Sequence, residues 1–438
     1  MVTAETILRA ILRLFGQLTT DTNPSLSHRI RGLLIIALSV LNFLYEVVNI
    51  QNNVALKLHN GRTYVYKIAE AVNVSQYPMK TVTTMVILVT FWWKSPTIVN
   101  LMRTVSENRR LDESKMLWKK RETIISNRIS GMILVTFTVN LVMMVCYRTL
   151  RIRSAEISPG QWPVAAFIPW VEINIMQEHI ITFFLRNTTE SVKLFCCGYL
   201  AVILYKFKTG LAADCRYFLE APTGMDPLHQ VDVQLAWNAR EEALTVARLL
   251  QKKLGSFLAF ILLADVVCLH ATFGDFLFLT TYVTYIRNIA SILMYFVSVG
   301  CLARGLIGLM DKDREAQELV EKLQSGLSHG TAGTTTDGAP RDWKEEGVKV
   351  HRGCKGDKID LLRMLTAMKK HCFGIRKAAP VVPVFEYVTR SRMLNAAALL
   401  FTFTCFMLDQ YGQNGPDSLE VPIQNSVLHS TTSTVASA

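Results

Sequence analysis

Long runs of apolar residues alternate with polar and basic segments along the whole chain. A run of about 20 apolar residues can cross a bilayer as a helix, so we predict an all-α, polytopic membrane protein. Seven such runs lie at approximately 32–49, 81–93, 129–147, 192–205, 254–273, 289–309 and 393–408. The second run ends with Trp92 and Trp93, a pair typical of the boundary between lipid and water.

A further apolar stretch, 162–185, differs from these runs because prolines and ionisable residues interrupt it. Pro163 and Pro169 occur there together with Glu172, Glu178 and His179. Ionisable groups and unpaired backbone groups are costly in lipid. We therefore predict an outer or re-entrant segment, with an extra span as the alternative, and keep seven spans.

Basic residues predict the orientation of the spans, because cytoplasmic loops collect Lys and Arg. Segment 95–128 contains eight of them, segment 51–78 contains three, and the tail after 411 contains none. The amino terminus is thus expected inside and the carboxyl terminus outside. The predicted order is a cytoplasmic segment 1–31, spans one to six within 32–309, a cytoplasmic loop 310–392, the seventh span 393–411 and an extracellular tail 412–438.

Helical spacing of apolar residues continues into the cytoplasmic segments 233–253, 311–323 and 359–373. The first of these has no Gly or Pro before Gly255, so we predict one helix running into the fifth span. In contrast, segment 324–357 is rich in Gly, Thr and charged residues. That composition predicts a disordered insertion.

Charge and motif spacing argue against several classes of function. The net charge is +12, but the basic residues flank apolar runs as topology signals do, so no nucleic-acid partner is expected. The nine histidines are scattered, which does not fit a membrane-embedded active site, and we expect no enzyme. His351, Cys354, His371 and Cys372 are spaced unlike a common zinc finger, so neither a metal nor another cofactor is expected.

The seventh run is more polar than a lipid anchor needs to be. Asn395 and Thr402 lie within it, and Asp409 and Gln410 follow it directly. These residues are typical of a pore-lining helix. A helix that hydrogen-bonds to its neighbours inside a bundle would show the same pattern, so the spacing alone leaves both interpretations open.

Two N-glycosylation sequons begin at Asn73 and Asn187. Both fall on predicted outer loops, where such sites are modified. The sequence therefore predicts a glycoprotein with these two attachment points.

From about Lys206 to Tyr411 the chain resembles arthropod gustatory receptors, of the superfamily that includes insect odorant receptors. That family ends its seventh span with Thr-Tyr, five hydrophobic residues and Gln-Phe. The corresponding run here is Phe403-Thr404, five residues from Cys405 to Asp409, and Gln410-Tyr411. Gln410 matches, Tyr411 replaces Phe with another aromatic residue, and the Thr-Tyr pair is absent in register. The segments REAQELVEKL and DLLRMLTAMKKHCFGIRK also resemble the family's cytoplasmic helices.

The resemblance implies a taste chemoreceptor in the plasma membrane of a chemosensory neuron. It would be a homo- or hetero-tetrameric, ligand-gated, non-selective cation channel that binds a small-molecule tastant in an outward-facing pocket. The pore and gate candidates on the seventh helix are Phe403, Phe406, Met407, Asp409 and Gln410. The ligand-pocket candidates are polar and aromatic residues of spans three, five and six: Asn140, Tyr147, Asp265, His270, Tyr285, Asn288 and Tyr295.

For Asp265 we also weigh a purely structural role, a hydrogen-bonded pair inside the membrane with His270 as a partner. Two other classes compete with the channel for the whole chain. A G-protein-coupled receptor needs the opposite orientation, and no Asp-Arg-Tyr-like triplet closes span three. A multi-span transporter should carry an internal repeat with broken spans, and none is found.

Overall fold

The computed structural model describes residues 3–19, 24–58, 64–107, 115–153, 175–219, 245–278, 282–332, 360–367 and 390–413, together with positions 234, 238 and 241. All regular structure in these ranges is helical, so the all-α prediction is confirmed. In chain order the helices are α1 (Ala4–Leu14), α2 (Leu26–Leu58), α3 (Tyr64–Glu107), α4 (Lys115–Arg153), α5 (Ile175–Leu219), α6 (Ser256–Phe278), α7 (Tyr282–Ala332) and α8 (Arg390–Gln413). A short helical stretch occupies 360–367.

Five helices of the described part are long and apolar enough to cross a membrane. These segments are Leu26–Val48, Pro78–Thr104, Thr123–Leu150, Thr245–Phe273 and Tyr285–Leu309. They coincide with predicted spans one, two, three, five and six. The second is about twice as long as predicted, because α3 continues through Pro96 well beyond Trp93.

The fourth predicted span lies in α5, which is the central helix of the bundle. Every residue from 189 to 204 is buried, and α5 packs against α1, α2, α3, α4 and α7. A helix enclosed by protein on all sides does not need the apolar surface that lipid demands. This explains why α5 can contain charged residues within the bundle and remain one continuous helix.

Part of the stretch 162–185 belongs to α5. Residues 175–185 are the first turns of α5 and continue directly into the predicted fourth span, so the helix begins well before Val192. Neither an independent eighth span nor a re-entrant segment is formed by these residues. Residues 162–174 lie outside the described part.

The extensions predicted to be cytoplasmic are helical where the structure describes them, and their side of the membrane stays a prediction. Residues 245–250 are helical and pass through a π-helical turn, Gln251–Gly255, into α6. Segment 311–323 belongs to α7, and 360–367 is helical. Helix α7 ends only at Ala332, so the prediction of disorder is wrong for residues 324–332, while 333–357 lie outside the described part.

Segments predicted to be cytoplasmic meet at one end of the bundle. Lys206 of α5 donates a hydrogen bond of 2.8 Å to Glu5 of α1, and Ser126 of α4 donates to the same carboxylate. Burial would raise the pKa of Glu5, but the charges of Lys206 and Arg9 and these hydrogen bonds outweigh it and lower the pKa below its ordinary value. Glu5 is therefore ionised at neutral pH and joins α1, α4 and α5.

The junction between α1 and α2 depends on two glycines. Gly16 has φ +66°, a left-handed conformation that lets α1 end and the chain turn back, and a Cβ there would lie 2.4 Å from Gly32 N. At Gly32 a Cβ would lie 2.3 Å from Cδ1 of Trp92 and 2.7 Å from the Gly16 carbonyl oxygen. The close approach of α1, α2 and α3 thus requires glycine at both positions.

Gly32→Ala is therefore expected to destabilise the protein, because the added methyl group must push apart a backbone carbonyl and an indole ring. The expected cost is about 1–3 kcal/mol, as for other overpacked sites. Gly131→Ala is the matched control, since nothing lies within 4 Å of a Cβ at that helical glycine. Thermal unfolding of the detergent-solubilised protein measures both. An unchanged melting temperature for Gly32→Ala would contradict the close packing.

Candidate functional site

The central helix α5 carries a stripe of polar residues on one face. Thr182, Arg186, Glu190, Lys193 and Cys197 follow at intervals of three or four residues, so their side chains share one side of the helix. All of them are buried apart from Arg186, which is mostly buried. Because charged groups inside a membrane protein are costly, they are expected to pair with one another or to mark a functional site.

The deepest part of this stripe is a closed hydrogen-bond network. Lys193 of α5 forms an ion pair with Oδ1 of Asp265 on α6, and Ser298 Oγ of α7 donates to Asp265 Oδ2 at 2.6 Å. Asp265 has no exposed surface. The carboxylate is thus satisfied on both oxygens and joins three helices. Asp265 is thus paired inside the bundle, as the structural interpretation expects, but with Lys193 and Ser298 rather than His270.

One to two turns from this network, Arg186 lies between two carboxylates. Its Nε is 3.1 Å from Glu190 Oε1, and its Nη1 is 3.9 Å from Glu46 Oε1 on α2. The arrangement links α2 to α5 through a single guanidinium group. Each carboxylate is buried, so the pairings compensate part of the cost of removing the charges from water.

Tyr295 of α7 lies beside two buried lysines. Its ring centroid is 4.5 Å from Lys193 Nζ and 5.6 Å from Lys80 Nζ of α3, distances at which a cation is attracted to the ring face. We call the combined set the polar core; its members are Glu46, Lys80, Arg186, Glu190, Lys193, Asp265, Tyr295 and Ser298. It joins α2, α3, α5, α6 and α7 in the interior of the bundle.

A second group of predicted pocket residues lies between α4 and α7. The Tyr147 ring centroid is 5.6 Å from the guanidinium carbon of Arg148 and 5.9 Å from that of Arg287. Arg287 Nε donates to Asn288 Oδ1 at 3.4 Å, a long hydrogen bond. Asn140 is buried on α4, and Tyr285 is half-buried at the start of α7. The seven candidates therefore do not form one cluster: Asp265 and Tyr295 share the polar core, and the others lie elsewhere.

His270 belongs to neither group. Its ring contacts the Phe403 ring of α8, with centroids 5.8 Å apart and an interplanar angle of 48°. Helix α8 packs against α3 and α6. The contact of His270 with Phe403 therefore links the bundle to the predicted pore helix.

The pore candidates all lie in α8, which runs past the predicted end of the span to Gln413. Phe403 and Phe406 are exposed, the latter with 55% of its surface accessible. The side chains of Met407, Asp409 and Gln410 are outside the described part, so their roles stay predictions. The residues weighed for zinc, 351, 354, 371 and 372, are outside it as well.

One glycosylation prediction is wrong. Asn187 lies within α5 and is only 7% exposed, whereas an attached glycan requires an accessible side chain. Asn73 lies within α3 rather than in a loop, and its side chain is outside the described part, so modification there stays a prediction.

Sequence reasoning missed Lys80, Arg186, Glu190 and Lys193 as site residues. Three of them, Lys80, Arg186 and Glu190, fall just before the predicted starts of spans two and four and so lie outside the predicted apolar runs. The three- and four-residue spacing of Arg186, Glu190 and Lys193 was the signal that could have revealed a shared helical face.

Comparison with known proteins identifies the fold. No protein-family model and no curated protein matches the sequence. Among solved structures, the insect olfactory receptor OR5 from Machilis hrabei in complex with eugenol is similar, with a TM-score of 0.62 and 12% identity over 93% of this chain and 96% of that one. A second structure of the same receptor has a TM-score of 0.61 and 11% identity, over 92% of this chain and 96% of that one. The chain therefore has the polytopic helical fold of an insect olfactory receptor along nearly its whole length.

Proposed function

We propose that this chain is a chemoreceptor subunit of the gustatory type, acting as a ligand-gated, non-selective cation channel in the plasma membrane. A small-molecule tastant binds among the helices of the bundle from the outer side. Helix α8 lines the pore together with the α8 helices of related or identical subunits. The likeness of fold to an insect olfactory receptor and the gustatory-type residues around Gln410 support this proposal.

The exposure of α8 is the observation that carries it. Leu394, Leu399, Phe401 and Phe406 are more than half exposed, although the helix is apolar. Asn395 and Thr402 are exposed on the same helix, which lipid alone would not favour. Four copies arranged around an axis would cover part of this surface and enclose a path whose wall is both polar and apolar.

Recording from cells that express the full chain tests the proposal. Ligand-evoked, cation-carried currents are expected during exposure to a panel of tastants, and they should be absent from untransfected cells. Surface labelling establishes that the chain reaches the membrane. Absence of evoked current at a verified surface level, both alone and with a second chemoreceptor subunit, would contradict the channel.

The orientation gives a separate prediction. A tag at the carboxyl terminus should bind antibody on intact cells, and a tag at the amino terminus should bind only after permeabilisation, because basic segments mark the cytoplasmic side. The clustering of Glu5, Ser126 and Lys206 at one end of the bundle supports this arrangement. Labelling of the amino-terminal tag on intact cells would favour a G-protein-coupled receptor instead.

A further inference from the structure

Hydrogen bonding in the polar core is complete around Asp265 and incomplete around Glu190 and Tyr295. At the level of Asp265 both carboxylate oxygens have partners. Toward Arg186, however, Glu190 Oε2 and the Tyr295 hydroxyl are buried and have no hydrogen-bond partner among the described residues. Glu190 is 3% exposed and Tyr295 is 1% exposed, so bulk water does not satisfy them. Asn187 Oδ1, almost one turn before Glu190 on α5, is in the same state.

Leaving these atoms unpaired is expensive. A buried polar group without a partner costs about 1–3 kcal/mol, and a charged group costs more. Native interiors contain few such groups, so two on facing helices require an explanation. Their unpaired hydrogen-bonding atoms define a place where a polar ligand would be stabilised.

The two groups share the same surroundings. Lys80 Nζ of α3 lies 5.6 Å from the centroid of the Tyr295 ring. Lys193, three residues from Glu190 on α5, lies over the Tyr295 ring at 4.5 Å. A guest between α5 and α7 would therefore meet a carboxylate oxygen, a phenol and ammonium groups together.

The chemistry of these groups restricts the guest. An ionised carboxylate oxygen only accepts hydrogen bonds, whereas a phenol donates and accepts. We propose that Glu190 and Tyr295 form a binding site for a small hydrophilic ligand whose ammonium or hydroxyl group donates a hydrogen bond to Glu190 Oε2. The Tyr295 hydroxyl pairs with a second polar atom of the ligand. This inference deepens the proposed function, on which it rests for access from the outer side.

A melting-temperature assay on the purified full-length protein tests binding independently of current, because a ligand that binds the folded state raises its stability. The probes are n-butylamine and further primary amines, glucose and further polyols, and hexyl acetate, which has no hydrogen-bond donor. At least one polar class should stabilise the wild type, and hexyl acetate should not. Stabilisation by hexyl acetate alone, or by no polar probe, would overturn the site.

Two variants distinguish the two classes of ligand, amines and polyols. Glu190→Gln keeps an acceptor oxygen but loses the charge, so amine binding should weaken roughly 10- to 100-fold, while polyol binding should change by less than about threefold. Tyr295→Phe removes one neutral hydrogen bond and should weaken either class about three- to tenfold. Tyr199→Phe, at another buried tyrosine of the core, is the matched control and should bind like the wild type. Polar binding that none of the site variants changes would overturn the assignment.

The ligand-free protein supplies a further measurement. If the Tyr295 hydroxyl awaits a ligand, Tyr295→Phe should melt at or above the wild-type temperature, because an unpaired buried group is removed. A melting temperature lowered by several degrees would show a structural role and overturn the proposal. Binding without evoked current would count against the channel alone, and current evoked only by hexyl acetate would count against the site alone.

Discussion

Asp265→Leu is expected to abolish most of the folded protein at the cell surface. The variant leaves the Lys193 ammonium group buried without its ion-pair partner, and breaking a buried pair on one side costs about 3–5 kcal/mol. That is a large share of the stability of most proteins, about 5–15 kcal/mol. Surface labelling and the melting temperature of the solubilised protein measure the loss.

The double variant Lys193→Met with Asp265→Leu tests whether the loss comes from the unpaired lysine. Replacing both members of a buried ion pair with apolar residues is often neutral or stabilising, so folding should largely return. Glu318→Gln breaks the exposed pair with Arg314 on α7 and should cost less than about 1 kcal/mol. A single Asp265→Leu variant that melts like the parent but no longer responds to ligand would instead place Asp265 in the ligand site.

Hydropathy was sufficient to predict the helical membrane fold, and the reason is physical. Spans such as 129–147 face lipid on part of their surface, with Val135 and Val142 exposed, so lipid selects a continuous apolar run. For α5 the same reasoning locates only the apolar part, residues 192–205, and misses the earlier turns of the helix, because protein surrounds it. Its environment selects residues that complement Asp265 and Tyr295, and these include Lys193 and Glu190.

The candidate site was less accessible to sequence reasoning than the fold. Span-by-span analysis identified Asp265 and Tyr295 as unusual, since each is a polar residue within an apolar run. It could not identify their partners, because Lys193 lies 72 residues before Asp265 in the chain. The pairing depends on how α5, α6 and α7 pack, and one sequence without relatives carries no record of contacts between distant segments.

The contact of His270 with Phe403 connects the two parts of the proposed mechanism. His270 is on α6, the helix that carries Asp265, and Phe403 is on α8. A ligand that changes the packing of α5 and α7 around Asp265 would also act on α6, because Asp265 bonds to both helices. A displacement of α6 would then reach α8 through His270. The polar core and the proposed gate are thus joined by one continuous helix.

Phe406→Ala is expected to raise ligand-free current about tenfold or more. Phe406 lies one turn beyond Phe403, and more than half of its surface is exposed, so in a tetramer its ring would narrow the apolar part of the pore. A wider constriction wets more easily and is harder to keep closed. A change of about 1.4 kcal/mol in the gating equilibrium gives a factor of ten. Whole-cell recording without ligand, normalised to surface expression, measures the effect.

Phe401→Ala is the matched control, since Phe401 is equally apolar, is 65% exposed and lies on the opposite face of α8. It should leave the ligand-free current unchanged.

Asp409→Asn probes the outer mouth of the pore, where up to four carboxylates would concentrate cations. Single-channel conductance should fall in this variant, most strongly at low ionic strength. Equal ligand-free currents in Phe406→Ala and Phe401→Ala, together with a conductance that Asp409→Asn does not change, would place the pore outside α8. The exposed apolar surface of this helix would then need a different partner.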